Sequence, residues 1–574
     1  MLRRGFLWIF LGLSSILPAL VSAATEPNVI LVTLGSARAD RVGFLDSHHG
    51  VTPHLDVLAK QSIVFEHAYS QASLTVTSHA TILSGTYPQT HHASEFGALL
   101  PADLPYLPDL LHARGYRTAA FVGSILLDPR NGFAPGFDRG FDVYDAGFRP
   151  VQPEQNRPLG ERSANQVVAR AANWLSQNAQ HPFFLWVHLC EPPASSSSSY
   201  DQAVAAIDAA VGKLMAAVHD QSLEANSIIV VVADHGESLG AHREDTHGIF
   251  LYDETIHVPL FVKMPQNTLA GKRVKSRVRL VDIAPTVLEA VRIPIPSQMQ
   301  GQSLLRIAKA TTDADQPAYS RSDFPHQAFG WSPLESWRAG KYLYIRAPQP
   351  ELYDISADPK ATHNLAESSS AVLQTLAAQL KAFDDHFGNE AGKSAGSNLT
   401  SSEMQKLASL GYVGLQKSTS GVDMALTGTD PKSVITVANQ SLTAMRALDE
   451  GRPETAIPAF QKVLTGQANI YLAQYGLGIA LAQQKQYSGA IQHLHKAIEL
   501  QPDSAWAHYA MGFSLLKTGD FKTSVTHLEI ASGRLPEFAV AHNLLAQVYD
   551  QLGRAQDAAR ERTKASQLGV TESK

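Results

Sequence analysis

From residue 27 onward, runs of five to seven apolar residues alternate with longer stretches in which apolar positions recur every three or four residues. The runs at 29–34, 118–122, 183–189, 228–233 and 260–264 are apolar on both faces. Strands of that kind suit the middle of a parallel sheet covered by helices on both sides. The stretches at 163–177 and 200–219 carry the helical period, and strands alternating with such helices predict an α/β core over 27–320. After about residue 320 the pattern changes. Residues 337–345, interrupted by Gly340 and Lys341, and then 351–354 read as short antiparallel strands joined by a turn, so a small subdomain is expected over 321–388. The Ser-, Gly- and Thr-rich stretch 389–433 reads as a linker.

Beyond the linker the chain repeats itself. Ala444, Gly478, Gly512 and Ala546 are 34 residues apart, as are Ala456, Ala490, Ser524 and Ala558, and also Val463, Ala497, Ala531 and Ala565. Pro502 and Pro536 keep the same step. Small residues where two helices cross, at this period, resemble the tetratricopeptide repeat, with about four copies over 434–572. Such an array leaves a concave face that takes a peptide or protein partner, although it can equally cap its own neighbour domain.

Composition narrows the function. The chain has 574 residues with 53 acidic and 47 basic side chains, a net charge of −6 spread without long like-charge runs. That is no nucleic-acid binder held by phosphate neutralisation. Its single cysteine, Cys190, excludes an internal disulfide and a cysteine-based zinc site. Arg3 and Arg4 precede an apolar stretch ending in Val21, Ser22 and Ala23, the layout of a cleaved export signal over 1–23. Pro18 and the serines interrupt it before it reaches the roughly 20 apolar residues of a membrane span. The mature chain is therefore expected to be periplasmic or secreted, with no transmembrane span.

In an open α/β sheet, ligands gather beyond the carboxyl ends of the strands. There the run 228–233 leads into Asp234-His235-Gly236-Glu237, a carboxylate and an imidazole that can face one divalent cation, with His242, Asp245 and His247 close behind. The chain as a whole then resembles the sulfatase and alkaline phosphatase superfamily. The matching blocks are Pro27-Asn-Val-Ile-Leu-Val-Thr-Leu34 with Arg38-Ala-Asp40, Thr52-Pro-His-Leu-Asp56, Ser84-Gly-Thr-Tyr-Pro88, Asp234-His-Gly-Glu237, Val258-Pro-Leu260, Leu280-Val-Asp282-Ile-Ala-Pro-Thr286 and Glu351-Leu-Tyr-Asp354, in the family's order. The resemblance implies a mixed sheet with helices on both faces and a small carboxyl-terminal antiparallel sheet. It also implies cleavage of an anionic phosphate or sulfate ester by a metal-bound nucleophile at the start of a helix. That segment is Thr75-Val76-Thr77-Ser78-His79, where sulfatases read Cys or Ser-x-Pro-x-Arg. Thr75 cannot become the formylglycine aldehyde, which starts from Cys or Ser. Threonine is the nucleophile type of phosphodiesterase and phosphotransferase branches.

Two positions depart from the family. Gly35 and Ser36 follow the first strand where a metal carboxylate is expected, Asp40 pointing elsewhere, and Glu191-Pro192-Pro193 stands where relatives carry Asp-Pro-His. The serines 195–199 then replace a substrate-facing loop. The expected site is thus Thr75 as nucleophile, Asp234, His235 and Thr75 on one divalent cation (Ca, Mn, Mg and Zn being equally compatible), and His242 or His247 assisting the leaving group. The alternative is a degenerate sulfatase-fold scaffold whose repeats bind a partner protein.

Overall fold

A computed structural model of the chain describes residues 26–47, 50–94, 96–147, 162–191, 197–310, 315–391 and 428–568. The export signal expected over 1–23 lies outside the described residues, as does most of the linker. No helix among the described residues is long and apolar enough to cross a membrane.

The core is a nine-stranded sheet made of β1 (Asn28–Leu34), β2 (Ile63–Tyr69), β3 (Arg117–Val122), β4 (Val143–Asp145), β5 (Phe183–Leu189), β6 (Ser227–Ala233), β7 (His257–Lys263), β8 (Arg273–Val274) and β9 (Val278–Arg279). Their order is β4-β3-β5-β1-β6-β7-β2-β8, with β9 also on β2. From β4 to β6 every pairing is parallel, while β7 runs antiparallel between β6 and β2. The 260–264 run therefore forms a strand, but not the parallel one its two-sided apolarity predicts. Burial on both faces follows from helical cover, and it says nothing of direction. All seven residues of β1, β5 and β6 are buried.

The chain visits β5 on one side of β1 and then crosses to β6 on the other, so the carboxyl ends of these three neighbours open onto one crevice at a switch point. Facing it is α1 (Thr75–Ser84), buried along its whole length and closed by Gly85 in the left-handed conformation. Further cover comes from α2 (Ala164–Asn178), opened by a Ser163–Gln166 capping box, and α3 (Ser197–Asp220), which pack on each other.

The small sheet is β10 (Ala318–Ser322), β11 (Leu334–Ala339), β12 (Tyr342–Arg346) and β13 (Glu351–Asp354), all antiparallel and adjoined by α4 (Ser370–Ala391). Eight helices follow among the described residues: α5 (Pro431–Asp449), α6 (Pro453–Gly466), α7 (Tyr471–Gln483), α8 (Tyr487–Leu500), α9 (Ala505–Thr518), α10 (Phe521–Arg534), α11 (Ala539–Gln551) and α12 (Ala555–Gln567). Small residues sit where helices of a pair cross. A Cβ on Gly478 would lie 2.6 Å from Leu494, and one on Gly512 2.6 Å from Leu528. The array does not stand apart from the core domain. One apolar cluster runs from Ile249–Tyr252 through Phe324 and Trp331 into residues between Ile435 and Ile530, and the Phe133 ring stacks on Trp506 at 4.8 Å.

A polar ladder also keeps the 34-residue step. His493 donates to Gln474 at 2.8 Å, His527 meets His508 at 2.8 Å and His542 meets Glu561 at 2.6 Å, each pair joining the two helices of a repeat. His508 Nε2 donates to the Pro502 carbonyl, so its Nδ1 accepts and His527 Nδ1 carries the proton between them. Burial, reinforced by His508 and His495, holds His527 well below the ordinary histidine range. The unfolded chain therefore takes up a proton near pH 6.5 that the fold refuses. Stability is complete above that pH and falls below it, by up to about 1.4 kcal/mol per pH unit. His527→Glu copies the pair of the next repeat and is expected to lose less stability than the natural chain between pH 7 and 5. Thermal unfolding of the two full chains at both pH values checks this.

Candidate active site

Thr75 is the first residue of α1, and its Oγ1 lies 3.2 Å from His235 Nε2. His235 donates from Nδ1 to the Gly236 carbonyl at 2.8 Å, which leaves the Nε2 lone pair directed at Thr75. Asp234, at the carboxyl end of β6, accepts from the Ser36 and His235 amides through Oδ1 at 2.9 and 2.8 Å. Its Oδ2 is buried without a hydrogen-bond partner, 3.6 Å from His235 Nε2. Burial opposes ionisation of this carboxyl, but the facing imidazoles of His235, His79 and His188 and the Ser36 amide outweigh it and hold it below the ordinary carboxylate range.

An orphaned carboxylate oxygen, an imidazole lone pair and a hydroxyl converging within a buried crevice fit a divalent cation. The three donors would be Asp234 Oδ2, His235 Nε2 and Thr75 Oγ1. A second grouping, His79, His188 and Asp234, also has its ligand-type atoms within 4.8 Å of one another. His79 is already engaged at both ring nitrogens and His188 at Nδ1. His79 Nδ1 donates to the Thr75 carbonyl at 2.7 Å, and His79 Nε2 and His188 Nδ1 each meet Thr33 Oγ1 at 3.0 Å, where Trp186 also donates. Burial lowers His79, and lowers His188 to about 3, so both are neutral props beneath the first turn of α1.

The two candidate proton donors part company. His247 packs its ring 4.4 Å from that of His235 and bonds Glu237 Oε2 at 3.0 Å. Burial disfavours its cation, yet Glu237 prevails and raises it to about 9, so His247 is an imidazolium at neutral pH. His242, expected as an equal candidate, instead stacks on Tyr252 at 3.6 Å with its Nε2 3.9 Å from Glu254. No contact joins it to Thr75 or His235 among the described residues.

At Gly35 the vacancy is closed by packing. Its amide donates to the Leu189 carbonyl at 2.7 Å, and a Cβ there would come within 2.8 Å of Cys190 Cβ. A side chain at this position needs Cys190, the residue after β5, to shift. Gly35→Ala is expected to cost about 1–3 kcal/mol by overpacking, and the added change Cys190→Gly to restore most of it. Chemical denaturation of the single and double variants decides; an unchanged midpoint for the single variant would show that the contact is soft. Asp40 pairs with Arg38 at 2.7 Å and is 58% exposed, turned away from the crevice as expected. Pro193, and the serines 195 and 196, lie outside the described residues. Glu191 Oε1 accepts from the Ala164 amide at the start of α2, which takes it out of the crevice.

Thr33, Trp186 and His188 lie in runs that the sequence marks as strands, with no site role expected of them. The signal was a lone threonine and a lone histidine inside fully buried strands, where an unpaired polar group is costly and so announces a partner.

Residues 27–293 match the sulfatase family, and 246–386 match the carboxyl-terminal domain of N-sulphoglucosamine sulphohydrolase. Tetratricopeptide repeat families match 478–519 and 509–561. Arylsulfatase K of Mus musculus is 30% identical over 441 residues, covering 62% of this chain and 79% of the relative. The ulvan-active sulfatase of Formosa agariphila is 26% identical over 396 residues, covering 59% of this chain and 77% of that one. In fold, the phosphonate monoester hydrolase of Agrobacterium radiobacter superposes with a TM-score of 0.52 at 18% identity, over 63% of this chain and 96% of its own. With its mixed sheet, small antiparallel sheet and helical array, the chain belongs to the sulfatase family of hydrolases and carries tetratricopeptide repeats.

Proposed function

We propose that the chain is an exported, metal-dependent hydrolase of anionic esters, with Thr75 as nucleophile and phosphate esters preferred to sulfate esters. The observation that carries this is the convergence of Thr75 Oγ1, His235 Nε2 and the orphaned Asp234 Oδ2 at the carboxyl edge of the sheet. A bound cation would supply positive charge that acidifies the threonine hydroxyl and neutralises the ester's oxygens. The chain's own residues do the rest. The amino terminus of α1 sets the partial positive charge of its helix dipole beside the anionic group. Thr75 Oγ1, its proton given up to solvent, bonds to the central phosphorus or sulfur as the ester oxygen departs and takes a proton from His247. Neutral His247 then takes a proton from a water that bonds to the same atom, and Thr75 Oγ1 leaves as the alkoxide, so that both groups return to their starting states. Thr75 has no route to an aldehyde, and His79 is neutral where sulfatases have a fixed arginine cation, so the preference for phosphate follows from both.

Aryl phosphate, aryl phosphate diester and aryl sulfate, each assayed with manganese or zinc, test the reading. Turnover of a phosphate ester exceeding that of the sulfate supports it, and the reverse order overturns the ester assignment. The packed Gly35 favours a second reading, a scaffold whose repeats bind a protein partner along their groove. A purified chain holding no stoichiometric divalent ion would favour that scaffold.

A further inference from the structure

The loop 238–247 joins Glu237 to His247, and its backbone is held in an unfavourable conformation. Leu239, His242 and Arg243 have φ of 54°, 50° and 67°. Side chains rarely adopt that left-handed region, so the surroundings must fix it. Internal bonds do part of this. Ser238 donates to the Thr246 carbonyl and Gly240 to that of Glu244, each at 2.8 Å.

Outside the array, Arg38 donates to the Glu237 and Ser238 carbonyls and Glu244 accepts from the Ile249 and Phe250 amides. Further restraints come from the first helix of the repeat array. Asn439 of α5 reads the loop backbone with both ends of its amide, donating to the Arg243 carbonyl at 2.8 Å and accepting from the Asp245 amide at 3.3 Å. Arg243 in turn donates to the Lys432 carbonyl at 2.9 Å. Lys432 Nζ pairs with Glu351 Oε1 at 2.6 Å, and Glu351 Oε2 accepts from the Tyr252 hydroxyl at 2.6 Å. The Tyr252 ring is the surface on which His242 stacks. Thus α5 grips the loop directly through Asn439 and indirectly, through Glu351 and Tyr252, beneath His242.

We infer that α5 is a positioning element of the catalytic centre, and that Asn439 and Lys432 are positioning residues that hold loop 238–247 so that His247 stays against Glu237 and His235. This rests on the hydrolase reading above. It gives the array a role in turnover besides partner binding, because whatever displaces α5 also releases the loop that ends in His247.

The test uses the full chain and two variants. Asn439→Ala removes both bonds, while Asn439→Asp keeps the acceptor for Asp245 and sets a carboxylate oxygen against the Arg243 carbonyl. Hydrogen exchange of peptides spanning 239–246 and steady-state turnover of an aryl phosphate with manganese are measured on each, with melting temperature as a control for folding. Exchange of the loop about fivefold to tenfold faster than in the natural chain is expected in both variants. A fall in kcat of similar size should accompany it, with KM within about twofold, since the loop positions a proton donor and binds no ester. Unchanged loop exchange would overturn the inference. Faster exchange with unchanged kcat would also overturn it, reducing the clamp to a structural contact. If the natural chain turns over no ester, the hydrolase reading fails by itself, and the exchange result still decides whether α5 holds the loop.

Discussion

Thr75→Val is expected to lower turnover of an aryl phosphate by about 10⁴-fold or more, the scale on which enzymes lose rate when a covalent nucleophile is removed. Valine keeps the branched shape and the fit of a residue that is 8% exposed at the head of a wholly buried helix. It deletes only the hydroxyl that faces His235 Nε2. Folding should be little affected, because Thr75 caps nothing with its side chain and α1 is held by the His79 bond to the Thr75 carbonyl, which valine retains. Thr75→Ser is the companion. It preserves the oxygen and should keep most of the activity, so the pair separates loss of the nucleophile from disturbance of the helix. Equal activity of the valine variant and the natural chain would mean that another group attacks the ester.

The frame of this centre was legible in the sequence because it depends on patterns that burial imposes. Both-face apolar runs marked β1, β3, β5 and β6, and the crevice at their carboxyl ends followed from the α/β alternation. Asp234 and His235 stood out as polar residues directly after such a run. The direction of β7 was not legible, since a covered strand looks the same running either way. Nor was the separation of His242 from His247. Both lie in one polar loop, and their fates depend on where Tyr252 and Glu237 sit, contacts made by loop conformation and not by period. The array's small residues at 34-residue steps were visible, whereas the ladder of Gln474, His508 and His542 with its partners was not, because polar residues on a helix read as solvent-facing until the opposing helix is known. The clamp through Asn439 was least legible of all. It consists of a side chain binding backbone across more than 190 positions, and backbone groups are the same at every residue.

Asp234→Asn should separate the hydrolase from the scaffold. The substitution is nearly isosteric in a fully buried position, and its carbonyl oxygen can keep both bonds that Oδ1 now accepts, from the Ser36 and His235 amides. Without metal, unfolding is therefore expected to move little. The changed atom is Oδ2, the buried oxygen with no hydrogen-bond partner, where asparagine places a donor that a cation repels. Losing a direct carboxylate ligand should weaken manganese or zinc binding by more than the roughly 10- to 100-fold that follows loss of an outer partner. At a free metal concentration about 100 times its Kd, the natural chain should gain about 2.7 kcal/mol of stability, and the variant almost none. Thermal unfolding of both chains with and without added metal, after chelation, measures the difference. Equal metal-induced shifts would place the cation elsewhere. No shift in either chain would leave Asp234 as a polar strut that orders Ser36 and His235, and the sulfatase fold here would then be the scaffold on which the repeats are mounted.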